Sequence, residues 1–216
     1  MSSVAGTPVK YEDTPLRQAQ RELTRQRIRD AGRDLFYAEG YETATMDQIA
    51  NLAGLRRSTL YLHYRDKAEI LADIIADYTP RALAEMERLP GPTPSVEQIM
   101  VWLRGLIEFF RTEKAPIAIF QDIGAATPGL PKFKQLLADI LAGLGRNVPA
   151  FRAAADNMHL DPLARARGTM IINQITAACS YASRNEPSDY TEALFQVVSE
   201  AIHAFTRSAD GAARPD

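Results

Sequence analysis

Apolar residues recur along most of this chain at spacings of three and four, the period of one face of an α-helix. Residues 16–39 are expected to turn Leu23, Ile28, Ala31, Leu35 and Phe36 inward, while Arg17, Arg21, Arg25, Arg29 and Arg33 recur every fourth position outside, and Gly40 ends the run. A shorter pattern follows, with Met46, Ile49, Ala50 and Ala53 on one face and Thr45 placed to cap the free amides at its start. Gly54 turns the chain. A third, brief segment then sets Leu60, His63 and Tyr64 on a packing side against Arg57, Ser58, Tyr61 and Leu62 on the other. A helix, a short glycine-containing turn and a second helix make a helix-turn-helix.

The periodicity continues through the remainder. Asp66 is placed to cap a helix that Lys67 opens and that runs through Ile70, Leu71, Ile74, Ile75 and Tyr78 toward Leu83 and Met86. Pro80 predicts a kink or an interruption in it. Residues 89–95 hold three prolines and read as a loop. In residues 96–112 one stripe is Ile99, Leu103, Leu106 and Phe110, and a second is Trp102, Gly105 and Phe109, so the helix is buried on two sides. Core packing and the wall of a ligand cavity account equally for the second stripe. Two more helices are expected at 114–125 and 129–147, and Pro149 with the polar residues 154–162 breaks the pattern. Asp161 as cap and Pro162 as first residue open a helix carrying Gly168, Ile171, Ile172, Ile175, Ala178, Cys179 and Ala182. The last helix, 189–207, places Leu194, Val197, Val198, Ala201 and Phe205 on one face and Phe195 and Ile202 on another. Its apolar surface exceeds the needs of one domain, which predicts a two-fold homodimer built on this pair. The expected contacts are Gly168, Ile172, Ile175, Cys179, Leu194, Val198, Ile202 and Phe205.

Composition sharpens this all-α picture. With 216 residues, 46% of them apolar, the chain can bury a sizeable core, which excludes disorder throughout. The net charge is only -2, but residues 1–67 carry eleven Lys and Arg against nine Asp and Glu, so the positive end coincides with the helix-turn-helix. The single cysteine, Cys179, forms no internal disulfide and reads as a buried small hydrophobe. No apolar run has transmembrane length, so a cytoplasmic protein without a membrane partner is expected. Residues 124–132 imitate a phosphate loop, but Leu130 stands where its lysine belongs. Asp156, His159 and Asp161 are the nearest approach to a metal-ligand cluster and read as loop polarity. No nucleophile carries a local catalytic motif, so neither enzyme, cofactor nor metal is expected.

The start of the third segment breaks a local rule. Arg56 and Arg57 stand at a helix N-terminus, where the dipole favours negative charge and a short oxygen-bearing side chain would normally cap. A phosphate reverses that penalty, because free amides, two guanidinium groups and the Tyr61 hydroxyl then converge on it.

The run IANLAGLRRSTLYLHYRDKAEIL resembles the DNA-binding signature of TetR-family transcriptional regulators, roughly I-A-x-x-A-G-V-S-x-G-x-L-Y-x-H-F-x-x-K-x-x-L. Ile49, Ala50, Ala53, Gly54, Leu60, Tyr61, His63, Lys67 and Leu71 match it, with Leu55 and Tyr64 as near substitutes. Arg56 replaces the usual capping serine and Ser58 the usual glycine, and an arginine there reaches far enough to read a guanine edge. Residues 1–15, small, polar and proline-bearing, read as a disordered arm and 208–216 as a disordered tail; between them the resemblance implies a helix-turn-helix DNA-binding domain at 16–66 and a helical regulatory and dimerisation domain at 67–207. It further implies a homodimeric repressor on a near-palindromic operator, released by a small apolar or aromatic effector; an activator of the same fold shares every residue. The alternatives from other classes are a helical protein-binding adaptor or a small enzyme. Thr45, Tyr61 and Lys67 are expected on phosphates, Arg56, Arg57 and Leu62 on bases, with Ser58 and His63 beside them. Tyr78, Met86, Trp102, Phe109, Phe120, Asn173 and Tyr181 are the expected effector contacts.

Overall fold

The computed structural model describes residues 14–126, 131–156 and 162–212. Among these the chain forms ten helices and no strand: α1 (Pro15–Glu39), α2 (Met46–Leu52), α3 (Arg57–Tyr61), α4 (Lys67–Met86), α5 (Val96–Thr112), α6 (Lys114–Ala126), α7 (Pro131–Leu144), α8 (Pro149–Asp156), α9 (Pro162–Arg184) and α10 (Asp189–Ala212). The periodic apolar faces meet in one core that runs from Ile28 in α1 to Ile202 in α10. Helices α1 to α3 form the head, packed through Ile28, Phe36, Ile49, Ala50, Leu60 and Tyr64, all buried. A side chain such as Leu60, removed wholly from water, contributes about 1.5–3 kcal/mol. The head joins the body through α4, and Gly32 permits the approach, since a Cβ there would meet Ile70 Cγ2 at 2.7 Å.

In the body, α5, α9 and α10 pack on one another, α7 lies along α4, and α8 fits among α7, α9 and α10. Cys179 is fully buried with Sγ 4.0 Å from the Leu103 carbonyl oxygen, and burial pushes its thiol up to about 12. No helix among the described residues is long and apolar enough to cross a membrane, and no group of three or more His, Cys, Asp or Glu is placed to hold a metal. His159 and Asp161 lie outside the described residues.

Several elements differ from the sequence reading. Pro80 sits inside α4 without interrupting it. Pro149 starts a helix instead of breaking one, its missing N–H being tolerated in a first turn, and α8 seals the core with Phe151 and Ala154. Helix α10 continues through residues 208–212, where a tail was expected, because the next proline after Arg207 is Pro215. Residues 1–13 and 213–216, the remainder of the expected arm and tail, lie outside the described residues.

The residues expected at a dimer contact are largely inside the subunit. Gly168, Ile175, Cys179, Val198 and Ile202 are buried against neighbouring helices. A Cβ on Gly168 would meet Leu141 Cδ2 at 2.9 Å and Ala154 Cβ at 3.0 Å, so this glycine lets α9 close on α7 and α8. Leu194 and Phe205 are half-buried, and Phe205 stacks against Phe151 with ring centres 5.0 Å apart.

Candidate nucleic-acid interface

Helix α2 opens with a reciprocal cap. The Gln48 amide donates to Thr45 Oγ1 at 3.3 Å, and the Thr45 amide donates to Gln48 Oε1 at 3.0 Å. The Thr45 hydroxyl also donates to Gln48 Oε1, at 2.7 Å, so it is engaged in holding the start of α2. After α2 the chain reverses at Gly54, whose φ of +65° favours glycine, and Arg27 Nη2 donates to the Ala53 carbonyl at 2.6 Å to close the turn.

Helix α3 follows without a side-chain cap, as arginine at the cap position dictates, since its guanidinium has donors only. Leu60 and Tyr64 anchor the back of the segment at 0% and 1% exposure. Arg56, Arg57, Ser58, Tyr61 and Leu62 are exposed, Leu62 to 84%. Arg57 spans the motif: it donates to Asp47 Oδ2 on α2 at 2.8 Å, to the Tyr61 hydroxyl oxygen at 3.5 Å, and lies 5.5 Å from that ring's centre. The hydrogen bond to Tyr61, with Asp47 adding to it, raises its pKa. Because Tyr61 accepts from Arg57, its own proton is directed elsewhere.

Behind α3, Asp73 of α4 gathers the head together. It accepts from Arg25 at 2.8 Å, from Arg29 at 3.2 Å and from the Tyr64 hydroxyl, and the Arg25 guanidinium lies 4.5 Å from the centre of the Tyr64 ring. Burial pushes this carboxyl up, but the Tyr64 hydrogen bond and the two guanidinium groups outweigh it and hold the carboxyl below its ordinary value. His63 is half-buried in a groove with Arg17, Gln20, Arg21 and Thr24. Burial first, then Arg25 and Arg21, lowers its pKa and keeps the ring neutral at pH 7.

Lys67 is turned away from this surface. Its ammonium donates to the carbonyls of Tyr41 and Glu42 at 2.8 Å each and of Ala44 at 3.3 Å, and sits 4.6 Å from the Tyr41 ring centre. Its three donors therefore hold the connection between α1 and α2, and none remains for a phosphate.

The body holds a cavity of about 550 Å³. Tyr78, Met86, Phe109, Phe120 and Asn173 line it, with Tyr78 stacked 5.1 Å from Phe120 and 5.9 Å from Phe109. Trp102 does not: its indole N–H donates to the Glu85 carbonyl at 3.0 Å, fastening α5 to the end of α4. Tyr181 also lies outside, edge-on to Tyr190 at 5.2 Å. Ile172, expected between subunits, lines the cavity. Sequence reasoning missed the polar lining, Gln121, Lys134, Arg165 and Thr169, because such residues on amphipathic helices read as outer surface.

Residues 28–74 match the profile of the bacterial regulatory proteins of the tetR family. The chain is 43% identical over 70 residues to the HTH-type transcriptional regulator SrpR of Pseudomonas putida, covering 29% of this chain and 33% of that protein. It is 27% identical over 141 residues to the HTH-type transcriptional repressor BepR of Brucella suis biovar 1, covering 58% and 64%. The chain thus matches less than two thirds of either relative's length. In overall fold it resembles the transcriptional regulator FadR from Bacillus subtilis, solved in complex with stearoyl-CoA, with a TM-score of 0.58 at 17% identity, over 83% of this chain and 98% of that one. The matched residues 28–74 hold Asp73, Tyr64 and the exposed row of α3 alike, and over that segment the chain is similar to the tetR family of bacterial regulatory proteins.

Proposed function

We propose that this chain is a sequence-specific DNA-binding regulator of transcription, acting as a homodimeric repressor that an effector in the body cavity releases from its operator. The observation that carries this reading is the exposed row Arg56, Arg57, Ser58, Tyr61 and Leu62 on a helix whose back, Leu60 and Tyr64, is wholly buried. Such a helix enters a major groove as a rigid body. Arg56 and Arg57 meet base edges, Leu62 meets a thymine methyl, and Tyr61 donates to a phosphate, as does Thr45 when its hydroxyl leaves Gln48. The repressor assignment draws support from BepR, which bears that name, and the effector from the cavity and from FadR, solved with stearoyl-CoA. As a regulator, not an enzyme, it works in the cytoplasm, where its DNA lies.

The dimer contact we assign to the outward faces of α9 and α10. Leu163 and Met170 on α9 and Tyr190 and Val197 on α10 are each more than half exposed, an apolar surface that a second copy covers. Two-fold pairing there sets two α3 helices about one DNA turn apart, roughly 34 Å.

Selection from a random duplex library tests the reading. A palindromic sequence is expected, bound with an affinity that falls steeply with salt, and Tyr61→Phe weakens it about tenfold by removing one charge-assisted hydrogen bond per half-site. Failure to enrich any sequence would end the DNA-binding reading, while a palindrome indifferent to Tyr61→Phe would move the phosphate contact elsewhere.

A further inference from the structure

Beside the body cavity lies a basic groove of about 400 Å³, apart from the surface of α3. Its walls are Tyr37 of α1, Arg111 near the end of α5, Lys114 at the start of α6, and Ser180, Ser183 and Arg184 at the end of α9. Among the described residues that line it, three are cations and none is acidic. Phe110, Ile117 and Gln121 line both this groove and the cavity, so the two spaces adjoin through these side chains. Arg111 reaches Glu108 only at 3.8 Å and the Ser183 carbonyl at 3.5 Å, while Arg184 Nε donates to the Ser180 carbonyl at 3.0 Å. Among the described residues neither Lys114 nor Arg184 has a carboxylate partner. The cavity itself repeats the pattern, with Lys134 and Arg165 among its lining residues and, among the described residues, no Asp or Glu.

Cations gathered in a concave place repel one another, and an anion set among them removes that cost while gaining charge-assisted hydrogen bonds. The amides at the start of α6, where Lys114 stands, add to the positive potential and are opposed by the carbonyl ends of α5 and α9, which Arg111 and Arg184 partly take up. An apolar and aromatic chamber opening beside such a groove complements a molecule that is apolar at one end and negatively charged at the other.

Resting on the reading of the cavity as the effector site, we propose that the effector is an anionic amphiphile: its apolar or aromatic body fills the cavity and its carboxylate or phosphate group binds Arg111, Lys114 and Arg184. Tyr37 gives this head group a route to the DNA-binding domain, since it belongs to α1 and stands opposite α5, α6 and α9 of the body. A shift of α1 against α6 reshapes the groove, so the anion binds the two arrangements with different affinity, the condition for an effector to move an equilibrium.

Calorimetric titration of the full chain with decanoate, decyl phosphate, decanol and decyltrimethylammonium, each below its micelle concentration, tests the proposal. One or both anions should bind at least about tenfold more tightly than decanol, the cation should bind least, and the stronger anion identifies the head group. Combined Lys114→Gln and Arg184→Gln, both at exposed positions, should reduce the anion to the affinity of the alcohol. Filling the cavity with Ile172→Trp should weaken every compound that binds. Decanol equal to the anions, or a preference for the cation, would overturn the anionic class and leave the cavity reading standing. An anion preference undiminished in the double variant would overturn the groove as its seat. Binding by none of the four would remove the cavity reading and the proposal together.

Discussion

Each polar side chain of the head is best judged by what its donors and acceptors already hold. Lys67 is spent on three carbonyls, so Lys67→Met should cost about 1–3 kcal/mol of stability in denaturant unfolding while leaving the salt dependence of DNA binding unchanged. A shallower salt dependence with no loss of stability would restore it to the phosphates. Asp73 titrates below its ordinary value in the folded chain, so it contributes stability above the unfolded carboxylate range and loses it as pH falls through its folded value. Thermal stability should therefore fall on acidification below about pH 4, and Asp73→Asn should flatten that part of the profile. The contrast between Lys67 and its neighbours marks how far single residues were legible. Tyr61 and Leu62 had to face outward once Leu60 and Tyr64 packed, a consequence of helical period alone. The carbonyls that take up Lys67 belong to Tyr41, Glu42 and Ala44, more than twenty positions away, and no local pattern announces them.

Among the helices, period revealed existence better than partners. The apolar faces of α5, α9 and α10 were plain in the sequence, yet the surplus apolar surface read as a dimer contact is taken up by α7, α8 and the cavity. Two faces on a helix say that two neighbours exist without naming them. Gly168 illustrates the point, because a glycine among branched residues signals a close approach, and only the fold says that Leu141 and Ala154 are what it approaches. Gly168→Ala should cost about 1–3 kcal/mol in thermal or denaturant unfolding, as overpacking does, with the oligomeric state unchanged at protein concentrations well above dissociation. Proline was ambiguous for a related reason: it ends a helix from within but suits a first turn, so Pro149 announced α8 as readily as a break.

Across the whole molecule, the head and body share α4, and α1 also packs on α6, so the reading surface and the cavity lie on one continuous core. On the proposed dimer, Val197→Glu would set a charge in the apolar contact and should shift sedimentation from dimer toward monomer. Operator affinity should fall with it, because the second half-site is then no longer engaged at high local concentration. The single thiol of the chain lies where this body is tightest. Cys179 is fully buried between α9 and α5, and its pKa of about 12 leaves it protonated as well as covered. A thiol reagent attacks the ionised, accessible sulfur, so it reaches this one only when α5 and α9 part. The rate of labelling is consequently a clock for breathing of the regulatory core, with no probe to attach and no second cysteine to confuse it. A compound that fills the cavity slows that clock in proportion to how firmly it holds these helices together.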